Sequence, residues 1–482
     1  MFTGHFGADG FKDSDNNDIE DADAIRYSLS ITGGNGTPSG LTDVISGDAI
    51  LLRVTGSGDI EGYVSSSPAT VAFLIDLNTD TGAITLTQNR AITHNDPADP
   101  LETFASGSAA HMASGLIVLT ATIEDSDADT ASATANIGGS FQFEDDGPSI
   151  DRSANAVPTL VTDDTDTPGD TASASFASLF TAGDFGKDGF KDSDDNNVED
   201  ADAIRYALSI TGGNGTPSGL TDTLTGDAIL LRVNGSGDIE GYLSSAPGTI
   251  AFLIDLNLDT GSVQLTQNRA IVHDNPNDSV ETGNEASHMA SGLIVLTATI
   301  EDGDGDTDTA TANIGDAFHF EDDGPTAAVS TAGFSISHDE TPGLQDTDVA
   351  GPLSVFATVT NTGDDPDVLP NGAGSVIGFA TSTGAISSSG SSFGKDGFKD
   401  ADDNDVQDSD AVVFSLNISN PLGTDSGLNV TGGQDIILFK EGDLIVGRVS
   451  GGAFNGQAAF AIAINSSTGQ MSMVQYLSIQ HG

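Results

Sequence analysis

Carboxylates at alternate positions are the feature of this sequence best suited to chemistry. The stretch 185–202 reads FGKDGFKDSDDNNVEDAD and crowds oxygen-bearing side chains into one short loop. Calcium takes about six to eight oxygen ligands, and loops of the Asp-x-Asp-x-Asn kind can supply them. The pattern therefore predicts a calcium site, with Asp188 as an additional nearby ligand. The predicted ligands of the loop are Asp192, Asp194, Asn196, Asp200 and Asp202.

This acidic loop occurs three times, at 6–23, 185–202 and 393–410, and each copy is followed by an alternating apolar run. The copies keep their aspartates and the asparagine while neighbouring positions vary. We therefore predict equivalent calcium ligands in all three, each loop lying at the mouth of a β-strand. Those of the first loop are Asp9, Asp13, Asp15, Asn17, Asp21 and Asp23. Those of the third are Asp396, Asp400, Asp402, Asn404, Asp408 and Asp410.

The loop begins with the spacing of an EF-hand, but Asn197 stands where that motif needs glycine and no glutamate closes it. Magnesium is a poorer match than calcium because it keeps its waters and seldom enters dense carboxylate cages. The competing interpretation is a solvated acidic turn, since Asp and Asn are common turn formers. Against it, two carboxylates ~4 Å apart repel by ~4 kcal/mol at an effective dielectric constant near ~20. Crowded carboxylates therefore need a counter-ion or must splay into solvent.

A second acidic cluster lies in two related turns, EDSDADT at 124–130 and EDGDGDT at 301–307. A calcium ion at a hairpin tip and a plain Asp-Gly turn explain this pattern equally well. The candidate ligands are Asp125, Asp127, Asp129, Asp302, Asp304 and Asp306.

A third acidic cluster lies at a junction between repeated segments, at 144–146. Further aspartates follow it at positions 163, 164 and 166. If these acids meet those at 144–146, a calcium ion would clamp neighbouring domains together.

No catalytic constellation is evident. The sequence has no Ser/His/Asp or Cys/His arrangement and no phosphate-binding glycine loop. Asp255 lies inside an apolar strand, but the third copy has Ala463 at the matching position, so we expect no enzyme. The recurrent histidines form no zinc pattern and are interpreted as packing or hydrogen-bonding residues: His94, His111, His273, His288 and His481.

Charge limits the partners of the chain. Its 482 residues include 73 acidic and 14 basic side chains, a formal net charge of −59. Nucleic acid and anionic membranes are not expected partners, because both need basic patches. No apolar run approaches the ~20 residues that span a bilayer, so no membrane insertion is expected. The chain has no cysteine, and β-rich domains without disulfides often use metal ions instead.

The elements that must position these loops are β-strands. Apolar residues alternate through Ile204–Ile210, and turn residues predict hairpins at 234–237, 259–261 and 303–306. The stretch 273–292 is irregular and is predicted to be loop. No segment has a sustained 3.6-residue period. We therefore predict an all-β chain of tandem, immunoglobulin-like β-sandwich domains.

Self-comparison divides the chain into three copies of one unit. Phe6 aligns with Phe185 at an offset of 179, and Phe185 with Phe393 at an offset of 208. The motif FEDDGP ends a copy at 143–148 and again at 320–325. We predict domains at 1–148 (copy 1), 149–325 (copy 2) and 326–482 (copy 3). Copy 1 lacks a front end and copy 3 a back end, while copy 2 is complete.

These motifs resemble a known repeat. The loop FGKDGFKDSDDNN, the hairpin AFLIDLNLDTGSVQLTQNRAI, the turn TIEDGDGDTDTA and the closing FEDDGP are similar to the tandem repeat of type I-secreted giant adhesins of the repeats-in-toxin class. That family is named for the length of its repeat, about 143 residues, and the segment 6–148 of this chain also contains 143 residues. The sequence departs from the family in lacking the C-terminal export signal, a nonapeptide GGxGxDxUx array and a ligand-binding module.

The resemblance implies a β-sandwich extender domain whose folding depends on calcium outside the cell. It implies a secreted or cell-surface protein. The partners would be calcium ions and neighbouring repeats, with adhesion targets reached through other domains.

Three functions compete. A calcium-stiffened adhesin stalk explains both the repeats and the acidic loops. A glycan-binding module would need an exposed aromatic platform, whereas the chain has no Trp and 5 Tyr. A halophilic acidic enzyme would spread acid evenly over strand faces, whereas here the acid is concentrated in loops. The sequence therefore favours the stalk.

Overall fold

The computed structural model describes residues 2–96, 99–273, 275, 281–337, 339–340, 353–365 and 376–481. Over these residues the chain is all-β, as predicted, and its antiparallel sheets stack as in a β-sandwich. Among the described helices, none is long and apolar enough to cross a bilayer. The helices are short 3-10 segments: Gly138–Ser140, Asp164–Asp166, Ala177–Leu179, Gly283–Glu285, Ser291–Leu293, Gly315–Ala317 and Leu353–Phe356.

Copy 1 contributes ten described strands arranged in one large and two small sheets. These are β1 (Ile25–Ile31), β2 (Thr37–Thr42), β3 (Ala49–Val54), β4 (Ile60–Val64), β5 (Ser67–Leu77), β6 (Ile84–Gln88), β7 (Ala110–His111), β8 (Ile117–Glu124), β9 (Thr130–Asn136) and β10 (Gln142–Phe143). The large sheet has the order β2-β3-β4-β5-β6, and the small ones are β1-β8-β9 and β10-β7.

Copy 2 repeats this plan and adds two strands at its start. Its strands are β11 (Leu160–Asp163), β12 (Asp170–Ser175), β13 (Ile204–Ile210), β14 (Thr216–Thr221), β15 (Ala228–Val233), β16 (Ile239–Leu243), β17 (Ile250–Leu256), β18 (Ser262–Gln267), β19 (Ser287–His288), β20 (Ile294–Glu301), β21 (Thr307–Asn313) and β22 (Phe318–Glu321). The sheet β12-β18-β17-β16-β15-β14 accompanies the sheets β13-β20-β21 and β11-β22-β19. Strand β11 runs parallel to β22, so the segment after the first FEDDGP pairs with the strand that leads into the second.

Copy 3 forms one sheet of the order β23-β28-β27-β26-β25-β24. Its strands are β23 (Gly378–Ala385), β24 (Thr424–Asn429), β25 (Asp435–Glu441), β26 (Leu444–Val449), β27 (Ala458–Ile464) and β28 (Gln470–Gln475). The strand predicted after the third acidic loop is wrong, because 411–418 forms no strand. In copies 1 and 2 the matching strands β1 and β13 pair with β8 and β20. The described part of copy 3 has no such partner strand.

The core of copy 2 lies between the facing sheets. Along β13, Tyr206, Leu208 and Ile210 are buried and the residues between them are exposed, as the alternation predicts. The rings of Phe252 on β17 and Phe320 on β22 lie 5.2 Å apart, centroid to centroid, and join two sheets. Gly241 makes room for this packing, since a Cβ there would lie 2.4 Å from the Phe252 ring.

The three hairpins predicted in copy 2 are confirmed, because β15 pairs with β16, β17 with β18 and β20 with β21. The stretch predicted as loop, 273–292, lies partly outside the described residues, and its described part includes β19. By its contacts the chain forms two compact units, 1–272 with 283–321 and 273–282 with 322–482. Almost all of copies 1 and 2 falls in the first unit. The domain boundaries at 148 and 325 stay predictions.

Candidate metal sites

The acidic loop before β13 folds back so that three carboxylates converge. One oxygen from each of Asp192, Asp194 and Asp202 lies within 4.8 Å of the others. Backbone amides fix these side chains. Ser193 N donates to Asp202 Oδ2 at 2.6 Å, and Asn196 N donates to Asp192 Oδ1 at 3.1 Å. The chain itself therefore brings the carboxylates together.

Residues with a left-handed backbone conformation allow the loop to fold back this tightly. Asp195 and Asn197 have φ angles of 60° and 56°. Asp and Asn tolerate this conformation better than other non-glycine residues, which explains their use at these positions. The other two loops repeat the pair at Asn16, Asp18, Asp403 and Asp405, with φ between 57° and 60°. Some acidic residues of the loop therefore stabilise its backbone conformation and are not needed as metal ligands.

One carboxylate oxygen is left without a partner in every copy of the loop. It is Oδ1 of Asp202, matched by Oδ1 of Asp23 and of Asp410, and each is buried without a hydrogen-bond donor. Asp23 also converges with Asp13 and Asp15 within 4.8 Å. An unpaired carboxylate oxygen shielded from water is costly unless a cation or donor meets it. The loops therefore fit a cation that accepts carboxylate oxygens.

The predicted ligands Asn196 and Asp200 lie beside this group in a different role. The Asn196 amide donates to Asp194 Oδ2 at 2.6 Å and to Asp200 Oδ2 at 3.3 Å. Its own oxygen accepts from Val198 N at 2.6 Å. In this structure Asn196 links two carboxylates, and its oxygen points to the backbone. The same amide bridge occurs at Asn17 and Asn404.

Asp188 lies outside the loop site in which it was expected. It belongs to a buried group, here called the junction cluster, formed by His94, Asp145, Asp188 and Asp304. Ligand atoms from these four side chains lie within 4.8 Å of one another. Copy 1 supplies His94 and Asp145, and copy 2 supplies Asp188 and Asp304. The site is therefore shared by two repeats inside one compact unit.

Four separate segments position the junction cluster. His94 follows the bridge between Ile92 and Asp43, Asp145 follows β10, and Asp304 lies at the tip of the β20–β21 hairpin. The His94 backbone N–H donates to Asp304 Oδ2 at 2.8 Å, across 210 residues of sequence. His94 Nδ1 lies 3.3 Å from Asp145 Oδ1 and 3.8 Å from Asp304 Oδ2. The three side chains are 4%, 1% and 2% exposed.

Strong electrostatic coupling follows from this burial. Burial alone would lower the pKa of His94, but Asp145, Asp304 and the Phe143 carbonyl raise it to about 10. Burial and the charges of Asp304 and Asp145 raise the pKa of Asp188 to about 8. Two adjacent acids, Asp302 and Asp306, have pKa values raised to about 7, mainly by burial and then by hydrogen bonding to Asp304 and Asp145. The cluster concentrates negative charge that protons or a cation must offset.

The turn acids differ between the copies. In copy 2, Asp302, Asp304 and Asp306 are buried at the junction. In copy 1 the matching turn is open, and Asp125 and Asp127 converge with Asp9 near the surface. Asp129 N donates to Asp125 Oδ1 at 2.8 Å, as in an ordinary turn. For copy 1, a calcium site at the hairpin tip and an ordinary acidic turn therefore both remain consistent with the structure.

The acids expected to meet Asp145 lie elsewhere. Asp164 opens a 3-10 helix inside copy 2, where Ile271 N donates to its Oδ2 at 3.2 Å. Asp163 caps the same helix by accepting from Thr165 N. Asp145 meets Asp188 and Asp304 instead, because β11 carries 160–163 into the sheet of copy 2.

His94 forms hydrogen bonds, as predicted from the sequence, but its contacts with Asp145, Asp188 and Asp304 were not predicted. A usable signal was present in the sequence, since His94 and His273 precede an Asp-Asp-Gly-Pro motif by 51 and 49 residues, respectively. In the second compact unit, His273 Nδ1 lies 3.6 Å from Asp322 Oδ1, the counterpart of the pair His94 and Asp145. His111 and His288 behave as expected, each bonding a nearby carbonyl through Nδ1.

Comparison with known proteins identifies one repeated domain. The family described as "Domain of unknown function (DUF5801)" matches residues 1–138, 159–315 and 335–482. These three matches correspond to the three copies found by self-comparison and cover most of the chain. No curated protein matches the chain.

Proposed function

We propose that this chain, which belongs to the DUF5801 family, is a run of calcium-stabilised repeats that extend a secreted or cell-surface bacterial adhesin. One observation carries the proposal. The same buried Oδ1 atom lacks a partner in all three acidic loops, at Asp23, Asp202 and Asp410. Solvated acidic turns would turn these oxygens to water. A bound calcium ion satisfies them and neutralises the converging carboxylates.

The energetic effect of such an ion is large enough to control folding. Extracellular modules bind calcium with dissociation constants of ~10⁻⁴ to 10⁻³ M. At a 100-fold excess over that constant, binding to the folded state alone adds ~2.7 kcal/mol per site. A whole domain is stable by only ~5–15 kcal/mol. Calcium at the acidic loops therefore contributes a substantial part of the free energy of unfolding.

This dependence suits a protein that completes its fold outside the cell. Where free calcium is far below the dissociation constant, the carboxylates at the mouths of β1 and β13 repel one another and the strand entrances loosen. Outside the cell, calcium closes each loop. Repetition then produces a stiff spacer, and the net charge of −59 keeps it soluble and apart from anionic surfaces.

The test is calorimetric titration of the full chain with calcium, followed by thermal unfolding in calcium and in chelator. We expect binding near one ion per acidic loop and a higher melting temperature with calcium. The double variant Asp23→Asn with Asp410→Asn should lose two of these sites, since it neutralises the unpaired oxygens of the outer loops.

A matched control removes the same charge from the same loops. Asp18→Asn with Asp405→Asn alters the left-handed positions, where copy 2 already carries Asn197. This control should bind calcium as the unmodified chain does. If chelation leaves the melting temperature unchanged, or if both double variants behave alike, the loops are solvated turns and the calcium-dependent stalk is wrong.

A further inference from the structure

We propose that the junction cluster is a second kind of metal site, in which His94 Nδ1 and carboxylates from copies 1 and 2 bind one divalent cation of the Mn²⁺ or Zn²⁺ class. This inference goes beyond calcium binding by the acidic loops and does not depend on it. It assigns a chemical function to a histidine and to acids that the loops do not use.

Metal binding requires the neutral form of His94 and displaces its second ring proton, which leaves a lone pair on Nδ1 facing the acids. Its Nε2 lies 3.1 Å from the Phe143 carbonyl oxygen, and a carbonyl can only accept, so Nε2 carries a proton. Nδ1 then faces Asp145 and Asp304. A hydrogen bond from one ring nitrogen to a backbone carbonyl is the usual way in which proteins fix a histidine that binds metal through the other.

Unpartnered atoms around His94 give independent support. Asp145 Oδ2 and Asp188 Oδ2 are buried and lack a hydrogen-bond partner. Asp304 Oδ1 of the cluster shares this state, and so do oxygens of nearby acids: Asp302 Oδ2, Asp306 Oδ2 and Glu102 Oε2, whose charge acts on Asp306. One imidazolium proton cannot offset so many carboxylates. A divalent cation supplies the missing charge and satisfies several of these atoms at once.

Distances and donor types favour a transition-type cation. Zinc binds imidazole nitrogen and carboxylate oxygen at ~2.0–2.2 Å, which places neighbouring tetrahedral ligand atoms ~3.4 Å apart. His94 Nδ1 lies 3.3 Å from Asp145 Oδ1 and 3.8 Å from Asp304 Oδ2. Calcium instead takes oxygen ligands, as the acidic loops offer. Imidazole suits zinc, and carboxylate also suits manganese.

The site is complete only where two repeats meet. In copy 1 the matching acids, namely Asp9, Asp125 and Asp127, form a group near the surface that contains no histidine. A cleft of about 400 Å³, lined by His94, Asp145 and Asp188 among others, gives an ion access from solvent. A bound cation would therefore fix copy 2 against copy 1.

Pulsed electron paramagnetic resonance of the full chain with Mn²⁺ tests nitrogen ligation directly. Mn²⁺ held by oxygen alone in the acidic loops gives no strong ¹⁴N modulation, whereas Mn²⁺ bound to imidazole does. We expect the modulation in the unmodified chain and a clear reduction in His94→Gln. We expect its loss in the double variant with His273→Gln, which also removes the related pair of the second unit. The control His111→Gln should leave it unchanged.

Titration with Zn²⁺ alone supplies the affinity. We expect His94→Gln and Asp304→Asn each to weaken the tightest Zn²⁺ binding at least tenfold, and Asp202→Asn, in the acidic loop, to leave it unchanged. Circular dichroism should show that each variant keeps its β-sheet. To guard against misfolding, Asp188→Asn serves as a second disruption from a separate segment and should also weaken Zn²⁺ binding.

Absence of ¹⁴N modulation in the unmodified chain, or equal modulation in His94→Gln, would overturn nitrogen ligation. Calcium binding lost in Asp304→Asn but kept in His94→Gln would make the cluster another oxygen-only calcium site and would also overturn it. These outcomes are separate from failure of the proposed stalk, because that result depends on Asp23 and Asp410.

Discussion

Without metal ions, the first compact unit should lose stability as the pH rises from 6 to 8. Asp188 has a pKa of about 8 in the folded chain, and Asp302 and Asp306 have pKa values of about 7, whereas the ordinary pKa of an aspartate is 3.8. A raised carboxyl pKa means that the folded chain holds protons that the unfolded chain has released. Its stabilising effect is complete below the unfolded pKa and is lost as the pH passes the folded pKa.

His94 changes stability in the same direction. Its folded pKa of about 10 exceeds 6.5, so the folded chain keeps a proton above pH 6.5 that the unfolded chain loses. Asp145 and Asp304 have lowered pKa values, for which burial is outweighed by hydrogen bonding to His94. A lowered carboxyl pKa stabilises the folded chain above the unfolded pKa, and this stabilisation is lost as the pH falls through the folded pKa. It therefore does not change between pH 6 and 8. Between pH 6 and 8 the groups with raised pKa values therefore determine the direction of the effect, which is a loss of stability as the pH rises.

The magnitude follows from proton counting. Each proton held only by the folded state changes the free energy of unfolding by ~1.4 kcal/mol per pH unit. Because His94 and the carboxyls titrate as one coupled group, we count about one net proton for all of them across this range, which gives a loss of ~3 kcal/mol from pH 6 to 8. At ~2–4 °C per kcal/mol, the melting temperature should fall by about 6–12 °C.

Differential scanning calorimetry in chelator at pH 6, 7 and 8 measures this shift. Asp188→Asn should flatten the profile, since it removes one titrating carboxyl from the junction cluster. Saturating metal should also flatten it, because the cation replaces the protons. A melting temperature that stays level or rises from pH 6 to 8 in chelator would show that the cluster is not the charged, buried group described above.

Three further predictions concern the core, a buried ion pair and catalysis. Gly241→Ala should destabilise copy 2 by about 1–3 kcal/mol in denaturant titration, because the new Cβ meets the Phe252 ring, whereas Gly248→Ala, with open space around it, should not. Arg269→Met should cost about 3–5 kcal/mol in the same assay, since it leaves a fully buried carboxylate without its cation. We expect no turnover in a hydrolase screen, and activity abolished by Asp255→Asn would contradict that expectation.

Local sequence determined the strands and turns of copies 1 and 2. The alternation in Ile204–Ile210 specified which face of β13 is buried, and the glycine-rich turns fixed the hairpins of copy 2. The acidic loop could be placed before its strand because its turn residues and left-handed positions act within a few residues. Such features need no knowledge of the rest of the chain.

Alternation alone did not suffice in copy 3. The segment 411–418 has the same pattern as β13 but forms no strand. A strand is stable only when a neighbour completes its hydrogen bonds, and β20 performs that role for β13. Pairing is thus a property of the assembled sheet.

The same distinction between local sequence and tertiary structure applies to the candidate metal sites, namely the acidic loops and the junction cluster. The sequence by itself determined that Asp192, Asp194 and Asp202 converge, since the turn residues and backbone amides that fold the loop back lie within the same short segment. Only the tertiary structure brought His94 to Asp304, across 210 residues, and left their side chains almost without water. Spacing within one copy pointed to the pair of His94 and Asp145 but not to the contact with Asp304, because only the folding of two repeats against each other creates that proximity and the burial that shifts the pKa values.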